Sequence, residues 1–225
     1  MANFYKYLQT AHESASTGDA KMFGVEVAIV TNTKDDQKLG RVKVKIPRLP
    51  TSPESDWVRV IQPAAGAGRG FYWIPEVEDE VLIAFERGES HRPYVIGALW
   101  NGKDKPMEGA YNDDNSTRMI QTKSGHKLVF EDKDGKESII IADKSGKRTI
   151  TFDVKAKKFS IDAAEGDIEI KAEKKIILSC SDLEIHTDKT GKIDIGTTFD
   201  LKMGGTSNIK CSATLNIKAS RVNIN

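Results

Sequence analysis

From Asp167 onward, pairs of apolar side chains separated by a single residue return again and again: Ile168/Ile170, Ile176/Leu178, Leu183/Ile185, Ile193/Ile195, Leu201/Met203, Ile209/Cys211, Leu215/Ile217 and Val222/Ile224. Their leading members recur about every eight residues, the signature of a repeating β-strand solenoid. Each unit reads as a strand of about five residues with one dry and one wet face. A stack of such strands has to bury its dry side. A single-chain solenoid needs longer coils to enclose a core, so the short repeat predicts three copies wound around one axis, each supplying a wall of a triangular prism. The expected core is Ile168, Ile170, Ile176, Leu178, Leu183, Ile185, Ile193, Ile195, Ile209, Leu215 and Ile217. Such a homotrimer is obligate, with no stable monomer. About eight to twelve strands give a needle roughly 40–60 Å long, comparable with the ~40–45 Å of a whole bilayer.

Composition divides the chain at the same side of the repeat. All seven prolines and all three tryptophans precede position 107, and residues 107–225 hold 20 Lys+Arg against 19 Asp+Glu. That half is charged but nearly neutral, so its sum offers no field to DNA or to an anionic membrane. The division predicts an N-terminal segment over 1–20, a barrel domain over 21–105, and junction strands with a β-helical needle over 106–225. A proline-free prism with charged sides is stiff and resists edge pairing. Cys180 and Cys211 share the spacing of the aliphatic residues and read as small buried hydrophobes rather than a disulfide or metal pair. No apolar run approaches the ~18 residues of a membrane span, and Met1–Ala20 lacks a signal-peptide core, so folding in the cytoplasm is expected.

The first half shows short alternating strands and turns. Phe23–Thr31 is followed by a polar turn over Asn32–Leu39. In Gly40–Pro47, Val42, Val44 and Ile46 point inward and Arg41, Lys43 and Lys45 into water. Trp57–Ile61, Val81–Phe85 and Tyr94–Leu99 complete about five strands, which suits an OB-type barrel.

The stretches G-R-V-K-V-K-I-P (Gly40–Pro47), Asp56–Phe85 with its G-A-G-R-G-F-Y-W-I-P run, and R-P-Y-V-I-G-A-L-W-N-G (Arg92–Gly102) resemble, in that order, the OB domain of the phage baseplate spike and VgrG-like family. Thr122–Glu137 is similar to the stretch by which that family passes from barrel to needle. One departure is Glu78, where the family carries glycine in a turn. The resemblance implies an all-β chain in which the OB barrel precedes a trimeric, intertwined β-helix: the central spike of a contractile injection system, with no enzymatic activity. It further implies a separate hub protein at the OB end and a PAAR-like tip protein on the last strand, Val222, Asn223, Ile224 and Asn225. Transient contact with a target membrane would follow, within a phage tail or tail-like particle assembled in the cytoplasm. An OB-fold module for oligosaccharides or single-stranded nucleic acid stays open, because Arg69, Phe71, Tyr72 and Trp73 cluster in sequence.

Other chemistry is weakly signalled. Gly66, Gly68 and Gly70 could cradle a phosphate, but they run into an aromatic stretch rather than opening a helix. Glu76, Glu78, Asp79 and Glu80 crowd one turn with no apolar pocket to raise a carboxyl pKa. Asp132, Asp134 and Gly135 supply half a calcium loop and read better as a D-G hairpin turn between Leu128–Phe130 and Ile139–Ile141. His12, His91, His126 and His186 are too scattered for metal ligation. No catalytic residue, cofactor or metal is expected.

Overall fold

The computed structural model describes residues 22–48 and 53–223, so the expected N-terminal segment and two of the tip residues, Ile224 and Asn225, lie outside the described residues. Two compact units divide the chain, Met1–Ile168 and Glu169–Asn225.

The first unit opens with a five-stranded sheet formed by β1 (Val25–Asn32), β2 (Lys43–Lys45), β3 (Arg59–Val60), β6 (Glu80–Phe85) and β7 (Pro93–Ala98) in the order β2-β1-β6-β7-β3. The pairings are antiparallel except β3 with β7. A bridge between Val42 and Val58 joins the two edges and closes the sheet into a barrel. Register shifts at Val30/Asn32 and Leu82/Ile83 mark irregularities of the bulge type, which bend strands as closure requires. Alternation decides the lining: Ala28, Val30, Val42, Val44, Ile46, Val81 and Ile83 are fully buried, with Met22, Val58, Phe85 and Val95 beside them. The inward triad expected of Gly40–Pro47 is therefore present, and Lys43 and Lys45 lie on the other face.

Two turns brace the barrel. In the β1–β2 connection, the Asp35 carboxylate accepts bonds from the backbone N–H groups of Gln37 and Leu39 at 3.1 and 3.0 Å. It also takes a fork from Arg41, with Nε at 3.0 Å and Nη2 at 2.7 Å. In the turn before β6, Asp79 N–H donates to the Glu76 carbonyl and Glu78 N–H to that of Val30. Glu78 sits at the third position of this turn with φ +76°, the left-handed conformation that glycine adopts most readily. The glutamate departs from the resembling family in residue type and keeps the turn.

A second sheet of the same unit is an antiparallel meander: β8 (Thr117–Gln121), β9 (Lys127–Glu131), β10 (Ser138–Ala142), β11 (Arg148–Asp153) and β12 (Lys158–Ala163). The D-G hairpin expected between β9 and β10 is formed, with Gly135 at φ +71° and Lys136 N–H donating to the Lys133 carbonyl at 2.8 Å. In the β10–β11 turn, Asp143 accepts from Ser145 Oγ and from the Arg148 guanidinium, whose Nη2 lies at 2.6 Å.

Residues 169–223 form no hydrogen-bonded strand, and every one of them is exposed in the single chain. The expected five-residue strands are thus not paired within one copy. The interval explains this: consecutive parallel strands of one chain need a crossover of a dozen or more residues, and about eight are available. Cys180 and Cys211 are free, as expected, but exposed rather than buried, because nothing among the described residues covers that side. Among the described residues no helix is long and apolar enough to cross a membrane.

Candidate functional site

The features that suggested chemistry are occupied by structure. The glycine run forms a small hairpin, β4 (Ala65–Gly66) with β5 (Arg69–Gly70). Gly70 is required there, since a Cβ would meet the Ala64 carbonyl oxygen at 2.6 Å. Of the acidic group, Glu76 pairs with Lys123 at 2.7 Å, Asp79 Oδ2 accepts the Glu76 N–H at 2.8 Å, and Glu80 accepts from Asn101 at 3.2 Å. Asp79 braces the turn itself, while Glu76 and Glu80 tie it to Lys123 and Asn101. No group of three or more His, Cys, Asp or Glu residues converges among the described residues. Phe71 and Trp73 stack with centroids 6.1 Å apart, and Tyr72 is 78% exposed. The Trp57 ring is instead covered by Arg41 and Lys43, at 5.9 and 5.3 Å.

Among the described residues, one face of the β8–β12 meander carries an ordered apolar surface that is left uncovered. Register places Phe130, Ile139, Phe152 and Phe159 in one row across four strands. Ile120, Leu128, Ile141, Ile150 and Ile161 form a second row across all five. Phe130, Ile139, Ile141, Phe152, Phe159 and Ile161 remain 37–55% exposed. The second row lines a shallow trough that Ile168, the first residue of the expected trimer core, also lines. The other face carries Thr149, Thr151, Ser160 and Asp162 on β11 and β12. Apolar rows left exposed side by side are the kind of surface at which proteins interact.

These rows were missing from the expected core, which began at Ile168. Their signal was present as period-two alternation in R-T-I-T-F-D (Arg148–Asp153) and K-F-S-I-D-A (Lys158–Ala163).

In the second unit the expected core residues are all exposed: Ile170, Ile176, Leu178, Leu183, Ile185, Ile193, Ile195, Ile209, Leu215 and Ile217 range from 46 to 77%. Burying one such side chain fully is worth about 1.5–3 kcal/mol, so leaving all of them in water is costly. Of the expected tip-docking residues, Val222 and Asn223 are exposed.

The barrel order, its closing bridge and the aromatic turn define an OB-type domain, and residues 26–100 match the Type VI secretion system/phage-baseplate injector OB domain. The chain is accordingly related to the VgrG spike proteins of type VI secretion systems. VgrG1c of Pseudomonas aeruginosa is 32% identical over 133 residues, 52% of this chain and 18% of that protein. VgrG3 of Vibrio cholerae is 33% identical over 111 residues, and the actin cross-linking toxin VgrG1 of the same species 34% identical over 110. Each of those two matches covers 45% of this chain, and 11% and 10% of the respective relative. The match therefore spans less than a fifth of each of these relatives, and the toxin activity is a property of the Vibrio protein.

Proposed function

We propose that this chain is the central spike of a contractile injection machine, a non-enzymatic homotrimer whose OB barrel sits beneath a hub protein and whose C-terminal repeat forms an intertwined β-helical needle. The observation that carries it is the one-sided apolar surface. Two aliphatic and aromatic rows cross the β8–β12 sheet, and the repeat beyond Ile168 keeps the same alternation with no strand partner among the described residues. Three copies wound about one axis cover both. The prism is then held by hydrogen bonds between chains, which the short repeat cannot make within one.

On this reading the sheath supplies the energy and the spike supplies rigidity while it passes through a target envelope. The spike is assembled in the cytoplasm and carried in a phage tail or tail-like particle. A PAAR-like tip protein docks around Val222 and Asn223, both of which are exposed. The test is the solution mass of the purified chain, expected at three times 24.9 kDa. A well-folded monomer at micromolar concentration would refute the reading. Deleting Arg221–Asn225 should abolish co-purification with a tip protein and leave the trimer intact.

The stacked Phe71–Trp73 pair beside Arg69 favours a second reading, an OB module that binds oligosaccharide or single-stranded nucleic acid. A shift of single-stranded DNA at physiological salt, lost in Trp73→Ala, would support it.

A further inference from the structure

Charge is not evenly spread along the second unit. Between Glu169 and Asp200 lie seven carboxylates and five lysines. Two of those lysines sit in ion pairs at 2.7 Å, Lys171 with Glu169 and Lys192 with Asp194. From Leu201 onward the sequence holds Lys202, Lys210, Lys218 and Arg221 and no acidic side chain. The three lysines are spaced by eight residues, the interval of the repeat itself, so successive units carry one each. All four cations are exposed, and none has a carboxylate partner among the described residues. The near-neutral sum of the C-terminal half conceals this polarity. The expectation that it offers no field to an anionic surface holds for the total and fails for this end.

We infer that residues 201–223 form a recognition surface for the phosphate headgroups of an anionic phospholipid membrane. Lysines carried by successive units extend over several layers of the repeat, which suits an extended anionic surface. Nucleic acid fits less well, because residues 201–225 contain no aromatic side chain on which a base could stack. Each lysine close to an anionic surface strengthens attachment about fivefold, so three make a difference of roughly a hundredfold in a single chain. The inference rests on the spike reading in one respect: a trimer brings three copies of the cation series to the same place.

The experiment is co-sedimentation of the full chain with vesicles of phosphatidylcholine alone or mixed with phosphatidylglycerol, across a salt series, with the solution mass of each sample measured in parallel. The chain should bind the mixed vesicles and not the neutral ones, and binding should weaken as salt rises. Replacing Lys202, Lys210 and Lys218 together by Gln should lower the affinity at least tenfold. The same change at Lys171, Lys174 and Lys175 should leave it within about twofold, since carboxylates interleave with those lysines. Equal binding to both vesicle types, equal loss from both triple variants, or duplex DNA bound more tightly than the mixed vesicles would overturn the inference. A trimer that ignores anionic vesicles sinks this inference and leaves the spike reading standing, whereas a folded monomer sinks the spike reading whatever the vesicles show.

Discussion

Phe152 and Phe159 face each other across the β11–β12 pair with ring centroids 4.8 Å apart, and both are about half exposed. Two aromatic rings that meet on a sheet face and still look into water form half of a core. On the spike reading the other half comes from the two other copies. Replacing Phe152 by Asp puts a carboxylate into that surface, and in a trimer it puts three there. Desolvation and mutual repulsion should dissociate the assembly or prevent it. Thr151→Asp, on the opposite face, should leave it intact. Light scattering of the two variants beside the parent distinguishes them, and a trimer that survives Phe152→Asp would mean this face lies outside the interface.

Glu78 supplies a test of the barrel that does not depend on assembly. Its φ of +76° places a Cβ where L-residues are strained by about 1–2 kcal/mol, and its side chain is exposed. Glu78→Gly should remove the strain and, after the added entropy of an unfolded glycine, raise stability by about 0.5–1 kcal/mol. Glu78→Val should lower it. Thermal melts of the two variants give the sign, and a destabilising glycine would show that the carboxylate contributes something the turn geometry does not.

Acid should weaken the protein through Asp35 and Asp143. Arg41 chiefly, with the Leu39 and Gln37 backbone, holds the Asp35 carboxyl well below the usual carboxylate range, against an opposing effect of burial. Arg148, then Ser145, does the same for Asp143. A carboxyl whose folded pKa is depressed adds stability that is fully present above its unfolded value, about 3.9, and is lost as pH falls through the folded value. Melting temperature on this account stays level from pH 7 to about 5 and declines below about 4. Asp35→Asn should melt lower at pH 7 and decline less steeply in acid. A parent protein that becomes more stable between pH 5 and 3 would contradict the assignment.

Much of this was legible in the residues, for physical reasons that also mark the limits. Val42, Val44 and Ile46 announced the barrel interior because a half-buried strand must alternate, and the structure buries all three. The Asp134-Gly135 turn was legible because left-handed backbone favours glycine. The Phe130–Phe159 row alternates just as plainly. Its strands pair with each other inside one chain, so they announce a sheet without announcing what covers it. The pairing of the repeat is a different case. A period states which side chains share a face, and says nothing of which copy supplies the neighbouring backbone.

The sharpest test of that face lies between two adjacent residues, Asp194 and Ile195. Ile195 is 46% exposed in the single chain and shares its parity with Ile193, so in a prism both turn toward the axis. In that prism Asp194 turns outward; in the single chain it pairs with Lys192 at 2.7 Å, with both side chains largely in water. An exposed pair of that kind contributes at most about 1 kcal/mol. Asp194→Asn should therefore change trimer stability by less than about 0.5 kcal/mol, as surface substitutions do. Ile195→Asp removes three aliphatic side chains from one apolar layer and leaves three carboxylates in their place, each desolvated and each repelling the others. The loss should reach several kcal/mol per trimer, the order expected for unpaired buried charge. Thermal or detergent-resistant stability of the two variants beside the parent measures the difference. Equal stability of both, or greater damage from Asp194→Asn, would place the wrong residues at the axis and dismiss the prism.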